Sequence, residues 1–556
     1  MNRVPLSQEQ TTAATSEQDH LLVIAPPGCG KTEVLAHRAA HQIAFIHENQ
    51  RILALTFTKR ARSNLEERLR SVLGHARARK LIVVRNLHGF ATQVVLAHGR
   101  TVGLDMNAIE LPKTSTMRKA FEAAGGGPSM YDAERILSEI KRKPVSDAQV
   151  LAEIGTRASG PARELAEMVE RQRQETNQLH YDDLLRHAQR LLRIPAVARL
   201  YQAHFGAVLV DEFQDLSTQQ LDLALLSCTT RRTFAGDPLQ GIFSWAGAEP
   251  AEVEKEIRRT CGEPLRLHES YRSSPRVLET VNSVSVHVDP GAGLVAAQPK
   301  RWAHGGCSAA LVFQTRQAEA DTLRGLATAV LHGNPDTSVG IISRAAWRRE
   351  DIDAAFARES NYSVRRWDLA IDDPGIVALI QTRVASLPRG VSLADARIAV
   401  LEAVDPADVD TQELVDAAFD MLEASDATTA QAAVRSIKVS DPKRAVGPGV
   451  HLLNAHTGKG QQFDWVFVVG LEEGHLPGKR NNAGAALAEE QRVLLVMLSR
   501  ARHGVIVTRA RTSPGRFGPY SVPETRWWKE IVAEFSSPEE IEAHLHATTT
   551  FDAAAS

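Results

Sequence analysis

Cysteine is scarce in this chain and long apolar runs are missing. The 556 residues include four cysteines, at positions 29, 228, 261 and 307, and none belongs to a CxxC pair. This scatter argues against a disulfide framework or a cysteine zinc site and suits a reducing compartment. The N-terminus lacks the apolar segment of a signal peptide, and runs such as WVFVVGL are far too short to span a membrane. We therefore expect a cytoplasmic protein with no membrane partner.

An overall excess of positive charge is also missing. The chain has 65 Lys and Arg against 67 Asp and Glu, which gives a net charge of −2. A nucleic-acid site would therefore have to gather its cations in one groove, and composition cannot reveal such a groove. The sequence also lacks a convincing nuclease cluster of carboxylates and a module that recognises specific DNA sequences.

Short β-branched runs followed by helical patterns recur along the chain. They are LLVIA (21–25), RILALTFT (51–58), AVLVDEF (207–213), TFAGD (233–237), VGIISR (339–344) and WVFVVG (465–470). Buried strands that alternate with helices are typical of parallel α/β sheets. One set precedes residue 275 and the other follows it, so we predict an α/β protein with two parallel sheets. Segments 101–178 and 388–440 have helical spacing and predict helical insertions.

A loop suited to phosphate follows the first of these runs. The segment APPGCGKT fits the Walker pattern GxxxxGK[ST], except that alanine stands at its first position. Small residues there allow backbone amides to surround phosphates at a helix N-terminus. Lys31 would neutralise the β- and γ-phosphate oxygens, and the Thr32 hydroxyl would bind Mg²⁺. The alternative is a chance GKT at a helix start. The predicted loop consists of Ala25, Pro26, Pro27, Gly28, Cys29, Gly30, Lys31 and Thr32.

Two carboxylates end another predicted strand, in VLVDEFQD. The carboxyl ends of parallel strands are where open α/β sheets bind ligands. Asp211 would hold Mg²⁺, and Glu212 would polarise the attacking water as a general base. A solvated acidic turn is the alternative, and the loop upstream makes it the weaker one. Transition-state charge on the γ-phosphate also calls for cations, and Arg272 and Arg500 are candidates, although most arginines are surface charges.

The order of these motifs resembles the UvrD/PcrA/Rep group of superfamily 1 DNA helicases. The match is collinear from residue 6 to residue 502, with little room for chance. Its segments are LSQEQ (6–10), APPGCGKT (25–32), LTFTKRA (55–61), NLHGF (86–90), LHYDDLL (179–185), DEFQD (211–215), GDPLQGIFSWAGA (236–248), LHESYRSS (267–274), NAHTGKGQQFDWVFVVGLEEGHLP (454–477) and EEQRVLLVMLSRAR (489–502).

The resemblance implies two RecA-like cores with ATP and Mg²⁺ between them. Core 1A would comprise 1–95 and 179–275, with a helical insertion 1B at 96–178. Core 2A would comprise 276–387 and 441–535, with a reduced helical 2B at 388–440. A C-terminal tail would occupy 536–556.

The resemblance also assigns roles to side chains at the nucleotide. Gln10 would recognise the adenine edge, and Tyr271 would stack on the base. Gln240 would sense the γ-phosphate, while Arg272 and Arg500 would reach it, the latter from the second core. Gln462 stands where the family has a ribose-binding glutamate and can still form a hydrogen bond to a ribose hydroxyl.

A second group of side chains is implied for single-stranded DNA. Because every base offers a π-face, aromatic stacking grips DNA without regard to sequence, at roughly 1–3 kcal/mol per base. Phe57, Phe243 and Trp245 would line the track, and His88 and His456 lie in further DNA-contact motifs. Core packing is the alternative for the aromatics, and a structural role is the alternative for the histidines.

The implied activity is ATP-driven movement on single-stranded DNA or a tailed duplex, with 3′-to-5′ unwinding. Ala246 replaces an arginine of the family pattern, Ser499 replaces a threonine, and the 2B region is short. These departures leave an alternative open. The compact layout is similar to the helicase component of Gabija-type antiphage systems, which acts with a nuclease partner. A stand-alone repair motor is a third reading.

Overall fold

Two six-stranded parallel sheets dominate the fold, which confirms the predicted α/β class with two RecA-like cores. The computed structural model describes residues 5–112, 120–121, 124–125, 129–157, 159–244, 247–357, 359, 361–367, 374–404, 411–412, 415–416, 418–419, 422, 429–435, 446–515 and 518–555.

The first sheet has the order β3-β2-β4-β5-β1-β6. Its strands are β1 (His20–Ile24), β2 (Arg51–Thr56), β3 (Ile82–Asn86), β4 (Phe205–Asp211), β5 (Arg232–Gly236) and β6 (Leu265–Arg266). All are parallel, so the loops after β1 and β4 meet at one edge of the sheet. Those two loops are APPGCGKT and DEFQD, which therefore lie side by side.

Helices cover both faces of this sheet because alternate strand residues point to opposite sides. Leu22 and Ile24 belong to one hydrophobic cluster, whereas Leu21 and Val23 belong to the other. The helices of this core are Gln8–Thr15, Lys31–Gln42, Lys59–Leu73, His75–Leu81, Leu87–His98, Tyr181–Leu192, Pro195–His204, Thr218–Ser227 and Pro250–Cys261.

Three helices of the first insertion, Met130–Lys141, Asp147–Arg157 and Pro161–Glu175, pack around a small apolar cluster of their own. Buried charges join them to the core. The Lys141 ammonium lies 2.7 Å from a Glu170 oxygen and 2.9 Å from an Asp183 oxygen, and all three side chains are at most 1% exposed. Arg173 and Arg186 complete this network with Asp147. Because these guanidiniums already occupy the carboxylates, the group is an ion network and not a metal site.

The second sheet has the order β11-β12-β10-β13-β14-β9. The pair β7 (Glu269–Ser270) and β8 (Val295–Ala296) precedes it along the chain, and the pair β15 (Thr512–Ser513) and β16 (Tyr520–Ser521) follows it. Its own strands are β9 (Cys307–Phe313), β10 (Ser338–Ser343), β11 (Val364–Arg366), β12 (Gly449–Asn454), β13 (Phe463–Val469) and β14 (Ala501–Ala510). Its helices are Pro275–Val288, Arg316–Gly333, Glu350–Phe356, Ala455–Gly458, Gly484–Leu498 and Pro538–Ala555.

The last helix differs from the predicted C-terminal tail at 536–556. Ile541 is fully buried in the core cluster that also contains Leu323 and Leu326, so this segment belongs to the second core. The described helices between β11 and β12 are Pro374–Ala385, Leu393–Glu402 and Ala430–Arg435. Their shared apolar cluster begins at Ile376, before the predicted insertion boundary at 388, and much of 405–445 lies outside the described residues.

The two cores meet through short hydrogen bonds from Ser273 and Ser274 to backbone carbonyls of the second core. The Ser274 amide donates a hydrogen bond to the Arg502 carbonyl (2.8 Å), and the Ser273 hydroxyl donates to the Ala501 carbonyl (2.7 Å). Helix Pro275–Val288 then packs Val277 and Val284 into the second core. Within the residues described, no helix has both the length and the apolar character needed to cross a bilayer.

Candidate nucleotide and DNA site

A cleft of about 1090 Å³ lies between the two cores. Four of the described candidate residues do not line this cleft. Gln10 and Cys29 are buried beneath its wall, and His88 and His456 lie elsewhere. Most of the side chains singled out from the sequence do line it: Ala25, Pro26, Pro27, Gly28, Gly30, Lys31, Thr32, Phe57, Asp211, Glu212, Gln240, Phe243, Tyr271, Arg272, Gln462 and Arg500.

The loop after β1 has the backbone of a phosphate cradle. Gly28 (φ +87°) and Gly30 (φ +77°) adopt left-handed conformations that glycine tolerates best. A Cβ atom at Gly28 would lie 2.6 Å from the Cβ of Arg272, so no larger residue fits. Helix Lys31–Gln42 starts immediately afterwards, and its N-terminus favours an anion.

Lys31 connects this cradle to the carboxylates at the end of β4. Its ammonium lies 2.8 Å from the Asp211 carboxylate and also contacts Glu212. Burial opposes the charge of Lys31, but the two carboxylates hold its pKa above the ordinary value. Burial raises the pKa of Asp211, whereas Lys31 and Lys459 outweigh burial at Glu212 and lower its pKa to about 2. Glu212 (φ +56°) is also one of three described non-glycine residues with a positive φ.

Three arginines face these groups. The buried Nε and Nη1 atoms of the half-buried Arg272 have no hydrogen-bond partner among the described residues. Burial, together with repulsion from Arg500 and Arg502, lowers the pKa of Arg272 to about 9. A bound anion would satisfy these donors and relieve the repulsion. The residues present therefore fit a polyphosphate with its Mg²⁺.

Arg500 contacts the first core directly. Its Nη2 donates a hydrogen bond to Gln240 Oε1 (2.9 Å), and Gln240 Nε2 donates to Asp237 Oδ2 (3.0 Å). Arg500 is 2% exposed, and burial lowers its pKa to about 10. A guanidinium of the second core thus touches the predicted γ-phosphate sensor of the first.

The predicted base-binding residues lie at one end of the cradle. Gln10 donates a hydrogen bond to the Cys29 carbonyl (2.9 Å), and its own side-chain oxygen accepts one from the Ser7 amide (3.0 Å). The Tyr271 amide donates to the Gly28 carbonyl (2.9 Å). Gln462 accepts a hydrogen bond from Arg502 (2.9 Å). Gln10 therefore supports the loop, and its recognition of adenine stays a prediction.

Three of the predicted DNA-contact residues come together across the cores. The rings of Phe57 and Phe243 stack at 5.8 Å with an interplanar angle of 22°. His456, from the second core, lies 6.2 Å from Phe243. His88 lies apart from this group, edge-on to Tyr181 at 5.6 Å. Trp245 and Ala246 are outside the described residues.

A contact between Lys459 and Asp215, which the sequence did not predict, joins the two cores beside this group. The Lys459 ammonium lies 2.5 Å from Asp215 Oδ1, donates to the Gln240 carbonyl and sits 4.6 Å above the Phe243 ring. Burial raises the pKa of Asp215 to about 6, and Lys459 opposes that rise. Both residues stand inside the motifs TGKGQQ and DEFQD, but they are 244 positions apart, so spacing gave no sign of their contact.

Comparison with known proteins agrees with this geometry. The model of the UvrD/REP helicase N-terminal domain matches residues 6–260, and that of the UvrD-like helicase C-terminal domain matches residues 418–512. The chain belongs to the UvrD-like helicases of superfamily 1. As a member of this family it is an enzyme of the ATP-dependent DNA helicase class.

Named relatives of this UvrD-like helicase cover much of its length. It is 26% identical to the ATP-dependent DNA helicase UvrD2 of Mycobacterium tuberculosis, over 94% of this chain and 82% of the relative. It is 24% identical to UvrD1 of the same organism, over 95% of this chain and 85% of the relative. The helicase PcrA of Bacillus subtilis is 27% identical over 50% of this chain and 39% of the relative.

Proposed function

We propose that the chain hydrolyses ATP in the cleft between its cores and uses the cycle to move along single-stranded DNA. One observation carries this proposal: a single cavity is lined by Lys31 and Arg272 of the first core, by Arg500 of the second, and by Phe57 and Phe243. The side chains that would bind the triphosphate and those that would stack on DNA bases therefore line the same cavity.

The phosphates would be held from both sides. Amides of the loop around Gly28 and the Lys31 ammonium would bind the β- and γ-phosphates, and the orphaned donors of Arg272 would bind the γ-phosphate. Thr32 and Asp211 would hold Mg²⁺, which neutralises charge on the phosphate oxygens. Lys31 would exchange its carboxylate partners for phosphate oxygens. This exchange would release Glu212 from its ion pair.

Glu212 would then act on the attacking water. The Lys31 ion pair helps to hold the pKa of Glu212 at about 2, so its release would raise that pKa and make the carboxylate a better proton acceptor, while an ordinary carboxylate pKa still leaves it ionised at neutral pH. Arg500 would leave Gln240 and stabilise the charge that develops on the γ-phosphate. Both Arg500 and Gln240 would thus change partners when ATP binds and again when phosphate leaves.

The link to DNA would run through one short loop. Gln240 and Phe243 are three positions apart, and Lys459 contacts the carbonyl of one and the ring of the other. A shift of Gln240 toward the γ-phosphate would therefore move the stacking surface. Alternate grip by Phe243 and His456 on their respective cores would advance the strand, as a nucleotide-gated population shift.

The direction of movement and the cellular role belong to this proposal as well. The resemblance implies 3′-to-5′ unwinding, and strand displacement on 3′-tailed, 5′-tailed and blunt duplexes would test it. No observation favours the alternative of a Gabija-like sensor subunit. Repeating the assay with any co-purifying nuclease would test that alternative. The cytoplasmic location likewise remains a prediction.

The central test is Glu212→Gln, which keeps the size of the side chain and removes the proton acceptor. We expect DNA-stimulated ATP hydrolysis to fall by roughly 100-fold or more, in line with the loss of general-base catalysis, while the affinity for single-stranded DNA is retained. Glu263→Gln, at a side chain that is 96% exposed, is the matched control. If Glu212→Gln hydrolysed ATP as fast as the unaltered protein, Glu212 would not be the general base and the proposed mechanism would be wrong.

A further inference from the structure

Positive charge is concentrated in one segment of the first core. Residues 51–85 contain ten Lys or Arg against two acidic residues, Glu66 and Glu67. Because the whole chain has a net charge of −2, the remainder is distinctly acidic. The near-neutral composition predicts that any cations for nucleic acid are gathered locally, as they are in this segment. The predicted track contributes mainly aromatic side chains, so it does not account for this segment.

The fold places part of this charge along the edge strand β3 of the first sheet. Arg68 pairs instead with Glu33, and Glu66 pairs with both Arg62 and Arg70. Arg51, at the start of the neighbouring β2, donates hydrogen bonds to the carbonyls of Arg79 (2.8 Å) and Ile82 (3.2 Å) and so ties helix His75–Leu81 to this edge. Near the other end of β3, burial and the charges of Arg62 and Arg51 lower the pKa of Arg85. At about 3.3 Å per residue the five-residue strand is about 16 Å long, so the surface is extended.

Helix His75–Leu81 presents the most accessible part of this surface. Arg77, Arg79 and Lys80 are all exposed, and no carboxylate pairs with their side chains in the part of the chain that the structure describes. The contrast is helix Pro250–Cys261, where Arg258 lies 2.8 Å from Glu254 and Arg259 lies 2.6 Å from Glu256. Cations on that helix are neutralised by their neighbours, whereas those on His75–Leu81 are not.

We infer that this basic edge, formed by Arg51, Arg62, Arg77, Arg79, Lys80 and Arg85, binds the phosphate backbone of DNA outside the aromatic track. The inference rests on the proposed function, because the same DNA would occupy both places. Helix Lys59–Leu73 begins two residues after Phe57 and, at 1.5 Å per residue, carries the chain about 22 Å away from it. A strand that extends past Phe57 would have to follow the side of the first sheet over about this distance to reach Arg77, Arg79 and Lys80.

The chemistry favours phosphates over an acidic protein surface. Arginine and lysine side chains that extend from a helix follow regularly spaced phosphates and need no shaped pocket. None of the exposed large hydrophobic side chains among the described residues lies between 51 and 85, and a protein interface would need an apolar centre. A single strand beyond the track and the duplex arm of a tailed substrate present the same phosphates, and the experiment separates them.

The test uses the triple variant Arg77→Gln/Arg79→Gln/Lys80→Gln in the full-length chain. Affinity would be measured by fluorescence anisotropy over a range of salt concentrations. Three probes are needed: a short oligonucleotide that fills only the track, a long single strand, and a tailed duplex. Each phosphate contact contributes about 0.7 to the slope of log K against log salt for single strands and about 0.9 for duplex DNA. We expect the slope to fall by about 2–3 for the long strand, the tailed duplex or both, and to stay unchanged for the short probe.

The matched control is Lys255→Gln/Arg258→Gln/Arg259→Gln, which removes the same charge from helix Pro250–Cys261. An equal loss in the control, or an equal loss on the short probe, would overturn the inference, because a general charge effect or the track itself would then explain the data. An unchanged slope on all probes would overturn it as well. If the unaltered protein bound no DNA at all, the proposed function would fail instead. A loss on the long strand identifies the single strand as the occupant, and a loss confined to the tailed duplex identifies the duplex arm.

Discussion

Replacing Lys459 by methionine should weaken the connection between the cores. The ammonium of Lys459 is shared by the Asp215 carboxylate and the Gln240 carbonyl, and the side chains of the ion pair are 10% and 3% exposed. Removing one member of such a buried pair leaves the other charge uncompensated, which costs about 3–5 kcal/mol. Because Lys459 keeps some contact with solvent, we use the lower figure. At about 1.36 kcal/mol per factor of ten, 3 kcal/mol corresponds to a loss of roughly 100-fold.

The assay is a double-mutant cycle on kcat/KM for ATP at saturating single-stranded DNA. Lys459→Met and Asp215→Asn should each lower kcat/KM by roughly 100-fold, and the double variant should lose about as much as either single variant. The coupling energy would then be about 3 kcal/mol. Lys479→Met, an exposed lysine of the same core, is the control and should change little. If the two losses multiplied in the double variant, the two residues would act independently and the inter-core pair would have no role.

Two further predictions concern pH and stability. Since the pKa of Asp215 is raised to about 6, kcat/KM for ATP should fall as pH drops through about 6, and Asp215→Asn should remove that acid limb. Because the pKa of Asp215 is raised on folding, its contribution to stability is full below about pH 4 and is lost as pH rises through 6. Loss of activity at low pH should therefore not reflect unfolding caused by Asp215. An acid limb that persists in Asp215→Asn would contradict the assignment. Lys141→Met should lower the free energy of unfolding of the first insertion by about 3–5 kcal/mol, measured by thermal melting and limited proteolysis. Lys143→Met, whose side chain is 54% exposed, should change stability by less than about 0.5 kcal/mol, and equal effects of the two variants would refute the reasoning.

Six strands that are largely buried on both faces could be predicted from the sequence to within a few residues. AVLVDEF at 207–213 appears as β4 (Phe205–Asp211), in which every residue is buried, and WVFVVG at 465–470 appears as β13 (Phe463–Val469). A continuous apolar run is a strong signal for a parallel strand. The strands β3, β6, β9, β11, β12 and β14 were missed. Each is an edge strand or lies next to an edge, and β12 and β14 also carry polar residues such as His451 and Arg502.

Some residues of the candidate site could also be predicted from the sequence, and others could not. Glycines with positive φ and carboxylates at a strand end have a local sequence signature, so the residues of APPGCGKT and DEFQD could be named in advance. The Lys459–Asp215 contact could not, because it depends on how two separately folded sheets face each other. Nor could the sequence show that Arg500 would rest on Gln240, or that His88 would lie against Tyr181, away from Phe57.

Buried ion pairs attach the first insertion to its core, and the apolar cluster of its three helices is separate from the clusters of the core. Lys141 and Arg173 come from the insertion, whereas Asp183 and Arg186 belong to the core helix Tyr181–Leu192, and each would be a bare ion in the interior without the others. Grafting a foreign segment in place of the insertion would therefore strand Asp183 unless the graft carried its own matching cations.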